Sequence, residues 1–294
     1  MPGHSETAFR AALVQMCSGR DVERNVSDAL ALIGAAAERK ADYVQTPECT
    51  TLMELEPARL MAETEPEDSN RALRTFREAA RNRKIWLHIG SMAVKVGDRK
   101  LANRSYVIAP DGTIAARYDK IHMFDVDLGN GEVYSESLNY QAGPHAVLAA
   151  LPWGLLGLTI CYDLRFPALH RALAKAGARF IAGPAAFTRI TGEAHWHTLL
   201  RARAIETETF VLAAGQGGRH ETGRETFGHS LVISPWGEVL AEGGTEPGVI
   251  MADIDTRAVD EVRRKIPSLE HDRRFDVIVQ PHIPARPKRV RQSS

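Results

Sequence analysis

Three Pro-x-Gly turns interrupt a chain that otherwise alternates between strand and helix patterns. They lie at 110–112, 152–154 and 235–237, each between two apolar stretches of strand length. Proline presets one turn dihedral and glycine accepts a positive one, so each turn predicts an antiparallel hairpin. Because these hairpins occur in a chain that alternates between strands and helices, they exclude a purely parallel sheet and indicate mixed sheets.

Hydrophobic periodicity predicts the remaining elements. Helices are expected at about 21–40, 71–84, 167–177 and 193–208, and strands outside the hairpins at about 9–16, 42–47, 85–96, 179–183 and 209–215, with a last strand and helix within 249–265. About twelve strands are too many for one ordinary open sheet. We therefore predict an α/β fold in which two mixed sheets pack together with helices outside.

The composition points to a small-molecule partner. Of the 294 residues 44% are hydrophobic, and 37 basic residues balance 37 acidic ones, so charge gives no reason to expect nucleic acid or an anionic membrane surface. Residues 1–10 lack the apolar core of a signal peptide, and the longest apolar run, 146–161, is broken by proline and glycine. No membrane span is predicted.

The cysteines indicate a reducing compartment. Cys17, Cys49 and Cys161 are odd in number and irregularly spaced. This pattern argues against a disulfide framework and against a zinc site made of cysteines. We therefore expect a cytoplasmic protein.

Cys161 has the local setting of a nucleophile. It ends an apolar run in a polar corner just before a helical pattern. A strand that stops in such a turn presents its last side chain, and the N–H groups of the turn point towards the group under attack. Most free cysteines are small buried hydrophobic residues, however, so a nucleophile requires partners elsewhere in the chain.

Two charged residues, Glu48 and Lys120, also end apolar, strand-like stretches. Taken singly, each is most simply a solvated surface charge, but strand ends of a layered fold deliver their residues to a common edge. An apolar environment would raise the pKa of Glu48, which could then act as a general base. Lys120 and the backbone N–H of Tyr162 could stabilise an oxyanion. With Cys161 this set suffices for amide hydrolysis without a metal or cofactor.

The motifs around these residues resemble those of the nitrilase, or carbon–nitrogen hydrolase, superfamily. They read TPEC at 46–49, YDKIH at 118–122 and ICYDLRFP at 160–167, with 72 residues between the glutamate and the lysine and 41 between the lysine and the cysteine. Each motif is weak by itself, but three in this order and at these separations are specific. The resemblance implies a Glu–Lys–Cys triad in a four-layer α-β-β-α sandwich.

The resemblance covers about residues 8–278. We therefore predict a single carbon–nitrogen hydrolase domain over 8–278. Residues 279–294 form a basic, proline-containing C-terminal arm, for which a solvated or partner-covering segment is the expectation.

Within the superfamily the chain is most similar to the Nit branch, on the segments 122–127, 134–137, 191–196, 200–206 and 228–230. This implies a homodimer or larger homo-oligomer. It also implies hydrolysis of the terminal amide of a small, carboxylate-bearing substrate through a cysteine thioester, with release of ammonia. Deaminated glutathione is the favoured substrate. Alternatives are the ω-amides α-ketoglutaramate and succinamate, or an N-carbamoyl amino acid.

The resemblance implies further site residues. Glu136 occupies the motif of a second glutamate that orients the lysine and substrate. A substrate carboxylate requires an arginine or helix-start N–H groups. Arg165 is the first candidate, although a structural salt bridge is equally plausible for it, and Thr188 and Arg189 are the next. His197 stands where Nit relatives more often carry glutamate, which could alter the polarity of the pocket.

Two other protein classes have less support. His195 and His197, together with Glu193 and His229, suggest a metallohydrolase, but a His-x-His pair on a helix directs its rings to different faces. A non-catalytic scaffold of the same architecture would not require the complete Glu–Lys–Cys set. We therefore expect an enzyme that uses no metal.

Overall fold

The computed structural model describes residues 7–129 and 131–280, which form sixteen strands and six α-helices. The strands are β1 (Ala8–Gln15), β2 (Tyr43–Gln45), β3 (Trp86–Lys95), β4 (Leu101–Ile108), β5 (Ile114–Asp119), β6 (Asp125–Asp127), β7 (Val133–Ser135), β8 (Val147–Leu151), β9 (Gly154–Leu158), β10 (Ala178–Ala182), β11 (Phe210–Ala213), β12 (Gly217–Arg219), β13 (Glu225–Phe227), β14 (Leu231–Ile233), β15 (Val239–Glu242) and β16 (Gly248–Asp255). The helices are α1 (Val22–Glu38), α2 (Pro57–Glu63), α3 (Arg71–Arg83), α4 (Pro167–Lys175), α5 (Arg189–Thr207) and α6 (Arg257–Lys265).

Twelve of these strands form two mixed, six-stranded sheets. The first has the order β16-β1-β2-β3-β4-β5 and the second the order β15-β14-β11-β10-β9-β8. The three predicted hairpins are confirmed: β4–β5, β8–β9 and β14–β15 are antiparallel pairs. The other four strands form two short ribbons, β6–β7 and β12–β13, which the sequence pattern did not predict.

Each sheet is buried on both faces, as β1 illustrates. Phe9, Ala11 and Leu13 belong to the core between the two sheets, whereas Ala12 and Val14 pack under α1 and α3. This alternation is the period of two that a strand imposes on its side chains. Helices α4 and α5 cover the outer face of the second sheet. The architecture is therefore the predicted α-β-β-α sandwich.

One helix boundary differs clearly from the sequence-based prediction. Helix α5 begins at Arg189, four residues before the expected start, with Thr188 as its N-cap residue. Its first turn packs closely on β13, since a Cβ at Gly192 would lie 2.3 Å from the Phe227 side chain. After α6, residues 271–280 have no regular secondary structure. The predicted arm, 279–294, lies outside the described residues from 281 onward.

The α-helices are short or polar compared with a membrane span. Within the described ranges, no helix is both long and apolar enough to cross a bilayer.

Candidate active site

Cys161 lies in a sharp turn between β9 and α4. Its φ of +48° is a left-handed conformation that residues with a side chain rarely adopt, and its N–H donates to the carbonyl oxygen of Pro184 at 2.8 Å. A five-residue 3-10 helix, Cys161–Arg165, separates this turn from α4. The thiol is therefore presented at the end of the second sheet by a constrained backbone.

The buried carboxylate of Asp163 fixes this turn. It accepts hydrogen bonds from the Ile160 N–H at 2.9 Å and from the Tyr118 hydroxyl at 2.6 Å. His122 supplies two more contacts, from its backbone N–H at 3.1 Å and its Nδ1 at 2.6 Å. Because Tyr118 and His122 flank Lys120 in sequence, Asp163 ties the turn that carries the nucleophile to the strand end that carries the lysine.

The structure brings Glu48, Lys120 and Cys161 together. Lys120 Nζ lies 2.9 Å from Glu48 Oε1, and all three side chains line one cavity, where the charges of Glu48 and Lys120 act on the Cys161 thiol. The other carboxylate oxygen, Glu48 Oε2, accepts from the Ala186 N–H at 2.8 Å. Only 3% of Glu48 and 2% of Lys120 is exposed, so the pair interacts with little screening by water.

Glu136 and Asn103 complete the network. Lys120 Nζ lies 3.0 Å and 2.8 Å from the two carboxylate oxygens of Glu136, and the Phe124 N–H donates to Glu136 Oε2 at 2.7 Å. The Asn103 amide donates to Glu48 Oε1 at 2.9 Å and to Glu136 Oε1 at 3.0 Å. Asn103 was missed by sequence reasoning because an asparagine within a strand pattern carries no signal until its neighbouring strands are known.

The network sets the charges of the three central groups. Burial opposes the charge of Lys120, but the carboxylates of Glu136 and Glu48 raise the pKa of Lys120 well above its usual value. Burial alone would raise the pKa of Glu48, yet the charges of Lys120 and Arg224 and its hydrogen bonds hold this pKa below the usual value. Burial and the Glu48 carboxylate raise the pKa of Cys161 well above normal. The resting site therefore combines an ionised carboxylate with a protonated thiol.

This finding corrects one sequence-based expectation. The pKa of Glu48 was expected to be raised by apolar surroundings, and that prediction is wrong because desolvation, although the largest single effect, is exceeded by the charges of Lys120 and Arg224 and the hydrogen bonds together. A carboxylate that is ionised at rest can accept the thiol proton directly.

The position of Glu48 depends on a close approach between its turn and β3. A Cβ at Gly90 would lie 2.1 Å from the Thr46 carbonyl oxygen and 2.5 Å from Pro184 Cβ. Glycine is therefore required here for steric reasons. The Gly90 N–H donates to Thr46 Oγ1 at 3.1 Å, which fixes the start of the turn.

A cavity of about 300 Å³ adjoins the thiol. It is lined by the three central residues and by Cys49, Leu52, Met53, Asn103, Phe124, Tyr134, Glu136, Tyr140 and Arg224, among others. Burial and the charge of Glu48 raise the pKa of Cys49 to about 12, so this second thiol is protonated at neutral pH. Apolar walls with a few convergent polar groups are typical of a small-molecule site.

Arg224 supplies a cation to this cavity that sequence reasoning did not identify. Its Nη2 donates to the Ala186 carbonyl oxygen at 2.5 Å, and its guanidinium lies 5.2 Å from the centre of the Tyr134 ring. Among the described residues no carboxylate forms an ion pair with it. Arg224 precedes β13 in the ribbon that the sequence pattern missed, so no local signal marked it.

Two of the predicted substrate-binding residues, Arg165 and Thr188, lie outside the cavity wall. The Arg165 guanidinium lies 5.2 Å from the centre of the Phe187 ring and 3.3 Å from His195 Nδ1. Four residues of a 3-10 helix place Arg165 on a different side from Cys161. Thr188 is buried and its hydroxyl pairs with that of Thr191 at 2.7 Å.

The other two, Arg189 and His197, are also absent from this wall. Arg189 forms ion pairs of 2.9 Å with Glu193 and 2.8 Å with Glu225, beside a neighbouring depression that Arg224 also lines. His197 Nε2 lies 2.9 Å from Glu242 Oε1 at the protein surface. The expected effect of His197 on pocket polarity is thus corrected, because α5 turns this residue towards β15 instead.

The fold and the residues around the cavity point to the class of hydrolases that act on carbon–nitrogen bonds. The profile of the carbon–nitrogen hydrolase family matches residues 10–264, and the chain belongs to this family. It is 39% identical over 269 residues to the deaminated glutathione amidase of Yersinia enterocolitica, covering 89% of this chain and 92% of that protein. It is 36% identical over 267 residues to the deaminated glutathione amidase of Homo sapiens, covering 89% and 81%.

Structural similarity agrees with this assignment. The crystal structure of the NitFhit protein of Caenorhabditis elegans superposes with a TM-score of 0.85 at 36% identity, over 92% of this chain and 66% of that longer one. The predicted relation to the Nit branch of the nitrilase superfamily is confirmed. The protein is an amidase, a hydrolase of non-peptide carbon–nitrogen bonds.

Proposed function

We propose that this amidase hydrolyses deaminated glutathione through a thioester on Cys161. The observation that carries the mechanism is the convergence of Cys161, Glu48 and Lys120 on one cavity, with Glu48 and Lys120 joined in a buried network of ion pairs and hydrogen bonds. The substrate is supported by two relatives that bear the name deaminated glutathione amidase.

The first half of the reaction forms the thioester. Glu48 accepts the thiol proton while the sulfur of Cys161 bonds to the amide carbonyl carbon, and the carbonyl electron pair moves onto oxygen. Lys120 Nζ and the Tyr162 N–H stabilise this oxyanion. Glu136 holds the Lys120 ammonium in place. When the oxyanion collapses, the carbon–nitrogen bond breaks and protonated Glu48 gives its proton to the departing amine.

The second half releases the acid. Water enters after the amine has left, and ionised Glu48 removes its proton as the oxygen attacks the thioester carbon. The carbon–sulfur bond then breaks, the product carboxylic acid leaves, and the sulfur of Cys161 takes the proton back from Glu48. Every group returns to its resting state, so no metal or redox partner is consumed.

The substrate determines which amine departs. A primary ω-amide such as α-ketoglutaramate or succinamate releases ammonia. The ureido group of an N-carbamoyl amino acid also yields ammonia, together with carbon dioxide from the carbamic acid that hydrolysis produces. Deaminated glutathione contains only secondary amides, so the group released from it is the amine of the remaining peptide fragment, and the release of ammonia expected from the family resemblance does not apply to this substrate. The proposed assay must therefore detect this fragment as well as ammonia.

Arg224 is proposed to bind a carboxylate of the substrate, in place of Arg165. It lines the same cavity as the thiol, has no carboxylate partner among the described residues, and its charge lowers the pKa of Glu48. A guanidinium binds a carboxylate through two parallel hydrogen bonds. This site would select amides that carry an acid group at a distance from the scissile bond.

The remaining sequence-based expectations are retained as proposals. The domain spans about 8–278, the arm 279–294 extends it, and the protein works in the cytoplasm as a homodimer or larger homo-oligomer. Three free cysteines support a reducing compartment, and the exposed apolar residues Ile205, Trp236 and Leu240 support contact between copies. A monomeric mass in solution would contradict the oligomer.

The decisive experiment is a substrate comparison by mass spectrometry. Deaminated glutathione should have the highest kcat/KM when compared with α-ketoglutaramate, succinamate and N-carbamoyl amino acids. Cys161→Ala should reduce turnover by at least about 10³-fold, whereas Cys17→Ala, at an exposed thiol, is the matched control. Hydroxylamine should divert the thioester to a hydroxamate. A better alternative substrate would replace the proposed one, and turnover by Cys161→Ala would exclude the covalent step.

A further inference from the structure

Two imidazoles and one carboxylate converge at a surface site away from the cavity. His197 Nε2 lies 2.9 Å and His229 Nδ1 2.8 Å from the same oxygen, Glu242 Oε1. The three ligand atoms all lie within 4.8 Å of one another. The residues come from α5, from the segment between β13 and β14, and from the end of β15, and none of them lines the cavity beside Cys161.

The two rings are held in position by the surrounding structure. His229 has a left-handed φ of +48°, its N–H donates to the Gly244 carbonyl oxygen at 2.8 Å, and its own carbonyl oxygen accepts from Trp196 Nε1 at 2.8 Å. The Phe227 ring stacks on His229 at a centroid distance of 4.4 Å and meets His197 edge-on at 5.9 Å. Ordering the ligands therefore costs little when an ion arrives.

The donor set suits a divalent ion that prefers nitrogen. Imidazole nitrogen and carboxylate oxygen bind Zn²⁺ at about 2.0–2.2 Å, and two imidazoles with one carboxylate leave a fourth tetrahedral position for water. Tetrahedral ligands at these bond lengths are about 3.3 Å apart, so Glu242 must withdraw by about 0.5 Å. Its side chain is 39% exposed at the end of β15, which leaves it room to move.

The charges at the site are also compatible with a cation. The Glu242 carboxylate brings a negative charge to the two imidazoles, with one oxygen 2.9 Å from His197 Nε2 and 2.8 Å from His229 Nδ1. Both imidazoles now use an N–H to reach the carboxylate oxygen. A divalent ion would bind the same two nitrogens of neutral imidazoles, with the proton of each ring carried by its other nitrogen, His197 Nδ1 and His229 Nε2.

We propose that His197, His229 and Glu242 bind one Zn²⁺ ion at a surface site that is separate from the amidase centre. The ion would join α5 to the β14–β15 hairpin. The sequence-based expectation of no metal rested on the pair His195 and His197, whose rings do diverge, since His195 faces Arg165. The partners of His197 come instead from residues 32 and 45 positions further along the chain.

Metal titration of the full-length chain tests the proposal. Protein freed of metal by a chelator is titrated with ZnCl₂ by calorimetry and with CoCl₂ by visible absorption. One equivalent should bind, and the cobalt form should show ligand-field bands without a sulfur-to-cobalt charge-transfer band. The competing thiols are Cys17, whose Sγ lies 3.7 Å from His220 Nδ1, and the two cavity residues Cys49 and Cys161. The variant in which all three cysteines are replaced by serine should retain the bound equivalent.

Variants locate the ion. His197→Gln, Glu242→Gln and His229→Asn, the last chosen because asparagine tolerates a left-handed backbone, should each weaken Zn²⁺ binding by about 100-fold or more, since losing merely an outer partner of a ligand costs about 10–100-fold. His195→Gln on the same helix is the matched control and should bind normally. Circular dichroism of the metal-free variants verifies folding. No bound equivalent, unchanged affinity in folded His197→Gln, or a sulfur charge-transfer band would overturn the proposal.

Discussion

Glu48 and Lys120 lie 72 residues apart in the chain and form a 2.9 Å ion pair whose side chains are both almost fully buried. Taking two charges out of water is costly unless their remaining hydrogen-bonding positions are filled. Here Asn103, Glu136 and the Ala186 N–H fill them. The pair therefore holds a defined set of charges beside the thiol, and its value to the protein lies in catalysis more than in stability.

Glu48→Gln should lower the pKa of Cys161. The negative charge of the Glu48 carboxylate raises that pKa, so the neutral amide lets the thiolate form at lower pH. Turnover should nevertheless fall by about 10²–10⁴-fold, because the general base is lost. Alkylation of Cys161 by iodoacetamide from neutral to alkaline pH, mapped by mass spectrometry with Cys17 as the internal reference, measures the shift. An unchanged alkylation midpoint would contradict the proposed contact.

Asn103→Leu should reduce kcat by about 10–100-fold, since it removes hydrogen bonds to two carboxylates, and bonds to charged groups contribute about 1.5–3 kcal/mol each. It should also raise the pKa of Glu48, because the charged form loses a donor. Activity requires ionised Glu48 and disappears as pH falls through this pKa. The acid limb of the kcat/KM profile should therefore move to higher pH. If kcat falls but the acid limb of the kcat/KM profile does not move, the loss reflects general structural damage.

Arg224→Ala should raise KM for substrates with a distant carboxylate and leave neutral amides nearly unaffected. Loss of a charge-assisted contact predicts a decrease in kcat/KM of about 10–100-fold. Arg224→Lys should restore only part of it, because an ammonium lacks the planar fork. Arg165→Ala is the informative comparison. If Arg165→Ala and not Arg224→Ala impairs carboxylate-bearing substrates, the original sequence-based assignment is correct.

Gly90→Ala should destabilise the protein by about 1–3 kcal/mol and lower kcat, because its Cβ would strike the Thr46 carbonyl oxygen and displace the turn that carries Glu48. Gly97→Ala is the matched control, with no atom within 4 Å of the added methyl group. Urea unfolding and steady-state kinetics measure the two effects. Equal behaviour of the two variants would show that the close approach at Gly90 is not required.

The sequence predicted the features that depend on residues close together in the chain. The Pro-x-Gly turns fix hairpins through the dihedrals of two residues, and the motifs around Glu48, Lys120 and Cys161 each end a strand. Strand ends meet at one edge of a layered fold, so their convergence could be anticipated. Helix α5 was predicted in the correct part of the chain, but the predicted start was four residues too late. The first turn of this helix packs against Phe227, which is remote in sequence.

What the sequence did not predict depends on distances between remote segments. Asn103 becomes significant only because β4 lies beside β5 and close to the turn of Glu48. Arg224 enters the cavity from a ribbon too short to give a periodic pattern. The direction of the Glu48 pKa shift required the 2.9 Å separation from Lys120. Arg165, close to Cys161 in sequence, is turned away by the 3-10 helix that joins them.

The two oxygens of Glu48 are held by opposite halves of the sandwich. Lys120 and Asn103, from the first sheet, contact Oε1, whereas the Ala186 N–H, from the segment after β10 of the second sheet, contacts Oε2. A small displacement of one sheet relative to the other would therefore separate Glu48 from Cys161, although most of the core would still exclude water. Catalytic activity therefore depends on the alignment of the two sheets. We expect a mild concentration of denaturant to abolish turnover before the protein unfolds.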